Sequence, residues 1–258
     1  MALNPKLQTW RGQRVWLIGA SSGIGLACAQ ALHAAGAQVC VSARQSAALD
    51  EFVAQHPGAR ALAMDVTDAN SVTQASAAAW ATQGLDWVVY CAGHYRAHDA
   101  AHFDLADMLR HQDVNYTGAL RVLDVLLPRL LAQGHGHVSL VSSVAGYRGL
   151  PKSLAYGPTK AALSHLAEAL YFDLHPRGLG VSVVCPGFVQ TPLTAQNDFH
   201  MPALMRPADA AQCMLQGWQR GLFEIHFPKR FTRWMKLLQI LPCAWYFPLV
   251  ARLTRTRP

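Results

Sequence analysis

Seven short β-rich runs recur along the chain, at residues 14–18, 38–42, 60–64, 87–91, 137–142, 180–185 and 223–227, each followed by loop or helix signals. The stretches between them are longer and rich in Ala and Leu. In five of these, residues 25–35, 72–82, 115–131, 156–175 and 209–220, apolar side chains fall near a 3.6-residue period in helix-forming composition. Such alternation predicts parallel strands joined by crossover helices. The expected architecture is an α/β, doubly wound domain, with a parallel sheet of about seven strands and helices on both faces. No internal repeat, low-complexity segment or interdomain linker interrupts it. At 258 residues the chain suits one such domain, which buries roughly three quarters of its unfolded surface and supports its own core.

Charge divides the chain in a way hydropathy does not. The formal net charge is +7, yet no acidic residue follows Glu224, while Lys229, Arg230, Arg233, Lys236, Arg252, Arg255 and Arg257 are all basic. Without these seven, fifteen basic and fifteen acidic residues remain, so the tail alone makes the protein basic. Residues 1–228 therefore read as the main body and residues 229–258 as a basic, aromatic C-terminal extension. A local patch of this kind does not make a nucleic-acid-binding domain. The six cysteines (Cys28, Cys40, Cys91, Cys185, Cys213 and Cys243) lack Cys-x-x-Cys spacing and mostly fall in apolar runs, which predicts reduced core thiols. The first residues carry neither a continuous apolar segment nor a small-residue cleavage site, so no secretory signal is expected and the cytoplasm is the default compartment.

Chemistry enters at the end of the first strand, where Gly19-Ala20-Ser21-Ser22-Gly23-Ile24-Gly25 forms a glycine-rich turn that opens a helix. A Cβ at such glycines would block the backbone from a pyrophosphate, and the helix N-terminus offers free N–H groups to that anion. The spacing is G-x-x-x-G-x-G, and a strand-helix turn without ligand is the plainer alternative. The second strand ends Val41-Ser42-Ala43-Arg44, where an NAD-binding chain usually places a carboxylate for the ribose 2′-hydroxyl. Arg44 instead offers a guanidinium to a 2′-phosphate, so NADP(H) is expected ahead of NAD(H). An arginine after a strand is also an ordinary surface residue.

Further along, Tyr156-Gly157-Pro158-Thr159-Lys160 follows Ser143 by thirteen positions. Residues four apart share a helix face, so the Lys160 ammonium can lie beside the Tyr156 hydroxyl. A phenol of pKa about 10 is a poor acid-base catalyst near neutrality, and a nearby cation is expected to lower that value. With these motifs in order, the chain resembles the short-chain dehydrogenase/reductase family over about residues 11–227. The resemblance implies one Rossmann domain in which hydride passes between a nicotinamide and a small carbonyl or alcohol. In that reading Tyr156 protonates the carbonyl oxygen, Ser143 hydrogen-bonds it, Lys160 also holds the nicotinamide ribose, and Asn115 supports a water relay to the lysine. Cofactor contacts are implied for Gly19, Ser21, Ser22, Gly23, Ile24 and Gly25 in the turn, for Asp65 and Val66, with Asp65 on adenine, and for Ala92 and Gly93. Pro186, Gly187, Val189 and Thr191 are implied beside the nicotinamide. The family's fourth strand normally ends Asn-Asn-Ala-Gly, where this chain has Tyr90-Cys91-Ala92-Gly93. Singly, a core Tyr, a solvated Lys, a strand-end Ser and a helix-capping Asn are ordinary residues, and their joint spacing carries the reading. A homodimer or homotetramer, formed through the helices at 115–131 and 156–175, is a further implication.

Other patterns carry less. His94, His98 and His102 recur every fourth residue, which on a helix would align three imidazoles at metal-ligand spacing, but the family chemistry requires no metal and none is expected. His135 and His137 read as residues of the turn before the fifth strand. Residues 193–206, with Leu193, Phe199, Met201, Leu204 and Met205, fall where the family has a mobile lid, and their apolar content favours a lipid-like over a small polar substrate. In the tail, Phe231, Trp234, Leu238 and Leu241 are predicted on one helical face, with Lys229, Arg230, Arg233 and Lys236 open to water or lipid headgroups. Residues 243–250 are aromatic and proline-interrupted, and the apolar stretch is shorter than the roughly 20 residues needed to span a bilayer. The tail then either touches a membrane peripherally or covers its own domain or a partner subunit. The leading expectation is an NADPH-dependent carbonyl reductase or alcohol dehydrogenase acting on a hydrophobic compound. The competing class is a membrane-associated regulatory or binding protein that retains the cofactor fold, against which the complete catalytic set argues.

Overall fold

Strands β1 (Arg14–Ile18), β2 (Gln38–Ala43), β3 (Arg60–Ala63), β4 (Trp87–Tyr90), β5 (Gly136–Val141), β6 (Leu179–Pro186) and β7 (Glu224–Phe227) form one parallel sheet in the order β3-β2-β1-β4-β5-β6-β7. The computed structural model describes residues 2–254 apart from 45, 82, 83, 198 and 200. Strand order reverses between β1 and β4, which opens a crevice at the carboxyl ends of these strands, the usual ligand position in such sheets.

Alternate residues of each strand feed two apolar layers. Trp16 and Ile18 of β1 pack with helices α3 (Ala69–Trp80), α5 (Gly118–Gln133) and α6 (Tyr156–Leu174) on one face. Val15 and Leu17 pack with α1 (Gly23–Ala34), α2 (Ser46–Gln55) and α7 (Pro207–Gln219) on the other. Covering both faces removes the need for hydrophobic-polar alternation, which is why the strands read as continuous apolar runs.

The seven expected strands all form, with ends displaced by a residue or so. Two helices of the main body were not legible as periodic segments: α2 and α4 (Leu105–Gln112). In α4 the buried positions are Asp107 and His111, a polar stripe that an apolar-period search does not register. The expected helix at 115–131 begins instead with a π-helical turn, Asp113–Thr117, before α5. That turn carries the fully buried Asn115, in keeping with the frequency of π-bulges at functional positions. His137 is no turn residue. It belongs to β5, is buried against Trp87 at a ring separation of 4.0 Å, and meets Ser182 Oγ at 2.9 Å. The tail forms α8 (Lys229–Gln239) and α9 (Cys243–Thr254), and α9 runs through Pro248 rather than breaking there.

Candidate active site

The crevice holds a cavity of about 380 Å³ whose wall includes every cofactor residue expected from the sequence: Gly19, Ser21, Ser22, Gly23, Ile24, Gly25, Arg44, Asp65, Val66, Ala92, Gly93, Tyr156, Lys160, Pro186, Gly187, Val189 and Thr191. Ser143 lines it too. Asn115 lies behind the wall.

The glycine turn is shaped by close approach. Gly19 has a φ of +90°, and a Cβ there would collide with the backbone at Ala92, while a Cβ at Gly25 would collide with the Gly19 carbonyl. The turns after β1 and β4 therefore touch backbone to backbone. At Gly23 a Cβ would lie 2.9 Å from Thr191 Cγ2, so the same turn also abuts the segment after β6. Ser22 caps α1 without a side-chain hydrogen bond, leaving the first N–H groups of that helix facing the crevice. A cradle whose glycines leave no room for a Cβ and which ends on bare N–H groups fits a pyrophosphate.

At the other end, Asp65 Oδ1 accepts from the Thr67 amide at 2.9 Å and its hydroxyl at 2.8 Å. Burial pushes the Asp65 carboxyl up, but these bonds together with Arg44 and Arg110 hold it below the usual range. Arg110, from α4, lines the cavity with Arg44 and was missed by sequence reading. Nothing in its local sequence marks it, because α4 reaches the crevice only through tertiary packing.

Ser143 follows β5 and its Oγ accepts from the Ala145 amide at 3.1 Å, which orients the hydroxyl. Tyr156 opens α6, and one turn on, the Lys160 ammonium sits 5.5 Å from the Tyr156 ring and donates to the Val141 carbonyl at 2.8 Å. Burial brings the Lys160 ammonium down to about 8. Burial also raises the Tyr156 hydroxyl above its ordinary value, against the downward pull of its hydrogen bond with Ser143. The direction is opposite to that expected from a neighbouring cation, because loss of water is the larger effect. Asn115 Oδ1 accepts from the His94 amide at 2.7 Å, and its Nδ2 donates to the His94 carbonyl at 3.0 Å and to Thr159 Oγ1 at 2.9 Å.

Tyr90 stands where the family has its first asparagine. Its hydroxyl donates to the Val114 carbonyl at 2.5 Å, bracing β4 against the π-helical turn, and Gly118 has no side chain because that hydroxyl occupies the space.

The three regularly spaced histidines do not share one helix: His94 and His98 lie in a loop and His102 ends a 3₁₀ turn, Ala100–His102. His102 turns out to Asp99 at 3.0 Å, whereas His94 and His98 both meet Asp107, at 2.8 and 2.5 Å. His111 joins them through the Asp107 carbonyl at 2.8 Å. Donor atoms of His94, Asp107 and His111 lie within 4.8 Å of one another. However, His111 Nε2 accepts the Arg96 amide, which fixes its proton on Nδ1, the nitrogen facing Asp107. The cluster is thus built for hydrogen bonding, and a metal would need that nitrogen deprotonated. His94 also lines the cavity.

Across the mouth, the Tyr95 ring meets the Tyr156 ring edge to face at 5.0 Å, and its hydroxyl donates to Asn197 Oδ1 at 2.8 Å. Gln196 Nε2 donates to the Tyr95 carbonyl at 2.8 Å. Gln196 and Asn197 are therefore pinned to the loop after β4, a pairing of positions about a hundred residues apart that no local motif announces. Further along, the Met205 backbone pairs with Phe188 and Gln190.

A glycine cradle at a switch point, followed by a set of acid-base side chains lining the same cavity, defines a dinucleotide-dependent oxidoreductase. The sequence model of the short chain dehydrogenase family matches residues 13–201. An uncharacterized oxidoreductase from Myxococcus xanthus is 36% identical over 229 residues, covering 87% of this chain and 90% of that protein. Another from Staphylococcus epidermidis is 34% identical, covering 70% of this chain and 80% of its own length. The crystal structure of a short-chain dehydrogenase from Streptomyces avermitilis superposes with a TM-score of 0.81 at 28% identity, over 95% of this chain and all of that one. The chain belongs to the short-chain dehydrogenase/reductase family, whose members bind a nicotinamide cofactor and act on small molecules.

Proposed function

We propose that this oxidoreductase is an NADPH-dependent carbonyl reductase for apolar ketones or aldehydes, running in reverse as an alcohol dehydrogenase. The observation that carries the reading is the convergence of Ser143, Tyr156 and Lys160 on the cavity formed by the glycine turn, Arg44 and the segment after β6. Hydride donation to a carbonyl carbon is the chemistry that bound NADPH supplies. The raised Tyr156 hydroxyl stays protonated at neutral pH and can deliver its proton to the substrate oxygen. Ser143 would hydrogen-bond that same oxygen, and Lys160, held by the Val141 carbonyl, would hold the nicotinamide ribose and keep a positive charge beside Tyr156. Asn115 fixes the backbone at His94 and with it the floor of the site.

Preference for NADP(H) over NAD(H) rests on Arg44 and gains from Arg110, since two guanidiniums beside Asp65 suit a 2′-phosphate better than a bare hydroxyl. An apolar substrate follows from the residues around the mouth, where Phe188 meets Phe199 at 5.8 Å and Leu193 lines the cavity. Self-association uses α5 and α6, which leave Leu120, Leu131 and Phe172 exposed, Phe172 at 78%. The six free thiols fit a reducing cytoplasm. The reading is tested by a panel of carbonyl compounds of graded chain length, followed by loss of NADPH absorbance. Turnover that rises with chain length is expected, and absence of turnover across the panel with both cofactors would overturn it.

A further inference from the structure

The outer surface of α8 and α9 carries Trp234, Ile240, Trp245 and Leu253, each more than two-thirds exposed, together with Leu237 and Phe247. This differs from the face expected from the sequence, because Phe231 and Leu238 turn partly inward and Thr232 and Met235 are buried. We propose that this surface docks peripherally on an anionic lipid bilayer, with both helices lying in the interface.

The exposed face is held outward by polar tethers. Arg148 stacks on the Tyr246 ring at 4.0 Å and donates to the Leu238 carbonyl at 3.1 Å and the Leu241 carbonyl at 2.5 Å. The Tyr246 hydroxyl donates to the Gly149 carbonyl at 2.7 Å, and Lys236 pairs with Glu224. The large apolar side chains thus stay on the outside of two anchored helices, and they do not serve as cover for their own domain. Arg230 and Arg233 stand exposed on the same face of α8 as Trp234 and Leu237, and Arg252 stands exposed beside Leu253. No carboxylate follows Glu224 in the sequence, and Glu224 is already paired. Arginine beside tryptophan, with no acidic residue, complements a negatively charged interface. A second copy of this surface fits less well, because a twofold contact would set like charges against each other. Among the described residues no helix is long and apolar enough to cross a membrane, which leaves the interfacial position. Phe231, on the inner side of α8, packs against Phe188 at 5.7 Å and against Gly187, where a Cβ would meet its ring at 2.9 Å. Docking would therefore bring the lid and the segment after β6 close to lipid.

The test is co-sedimentation of the full chain with phosphatidylcholine vesicles and with vesicles that also contain phosphatidylglycerol. Pelleting with the anionic vesicles, weakened by salt, is expected. Replacing both Arg230 and Arg233 by Ala should weaken it about twenty-fivefold, at about fivefold per charge. The triple variant Trp234→Glu, Ile240→Glu, Trp245→Glu should stay in the supernatant with an unchanged thermal melt. Wild type that ignores anionic vesicles, or a triple variant that pellets as well as wild type, would overturn the proposal. So would velocity sedimentation showing a smaller assembly for the variant while neither protein binds vesicles, since the surface would then join subunits. Each outcome is read without turnover, so failure here is separate from failure of the reductase reading.

Discussion

Asn115 and His94 clasp each other through both of the amide's polar atoms: the Asn115 carbonyl oxygen accepts the His94 N–H at 2.7 Å, and its NH₂ group donates to the His94 carbonyl at 3.0 Å. One buried side chain thereby replaces the strand partner that the backbone beyond β4 lacks, directly after the glycine that faces the cavity. Asn115→Leu leaves a part-buried N–H and a part-buried C=O at His94 without their partner, at roughly 1–3 kcal/mol for each. Urea unfolding should show a loss of about 3 kcal/mol together with reduced turnover. A loss below about 1 kcal/mol would mean that water replaces the clasp.

Tyr156→Phe removes the proton donor while keeping the ring that packs against Tyr95. Turnover should fall at least about a hundredfold, the scale of general acid catalysis, with NADPH affinity nearly unchanged. Single-turnover measurements and a cofactor titration separate the two effects, and a variant of near-normal rate would reject the assignment.

Arg44→Ala should weaken NADPH far more than NADH, because only NADPH carries a 2′-phosphate for the guanidinium to meet. Arg110→Ala should act in the same direction if α4 contributes the second cation. Fluorescence titration of both cofactors against both variants reads this directly. Equal losses for the two cofactors would place Arg44 outside the phosphate site.

His137 is buried between Trp87 and Ser182, and burial pushes its imidazole down to about 3. Below an ordinary value near 6.5 the unfolded chain takes up a proton that the folded chain does not, so stability falls with pH from about 6.5 toward 3. The slope from this one group is about 1.4 kcal/mol per pH unit. His137→Gln should flatten that limb in denaturant titrations at graded pH. An unchanged acid limb would assign the loss to other groups.

Much of this architecture is written in local pattern. Each strand is an apolar run because both sheet faces are covered, and the glycine turn and the Tyr156/Lys160 pair are legible because their geometry is fixed by neighbours one turn or less away. Thus the sequence alone determined the sheet, the glycine turn and the pairing of Tyr156 with Lys160 on one helix face. Tertiary structure decided what depends on partners distant in the chain. Arg110 reaches Asp65 only because α4 folds across the crevice, and Asp107 collects His94, His98 and His111 from two separate segments. Burial reversed the expected direction for Tyr156, since the desolvation of a hydroxyl depends on everything packed around it and not on its nearest cation. In the tail, helical periodicity identified an amphipathic segment, yet which stripe faces the body was settled by Arg148, Glu224 and Phe188, so Trp234 and Ile240 are left outward.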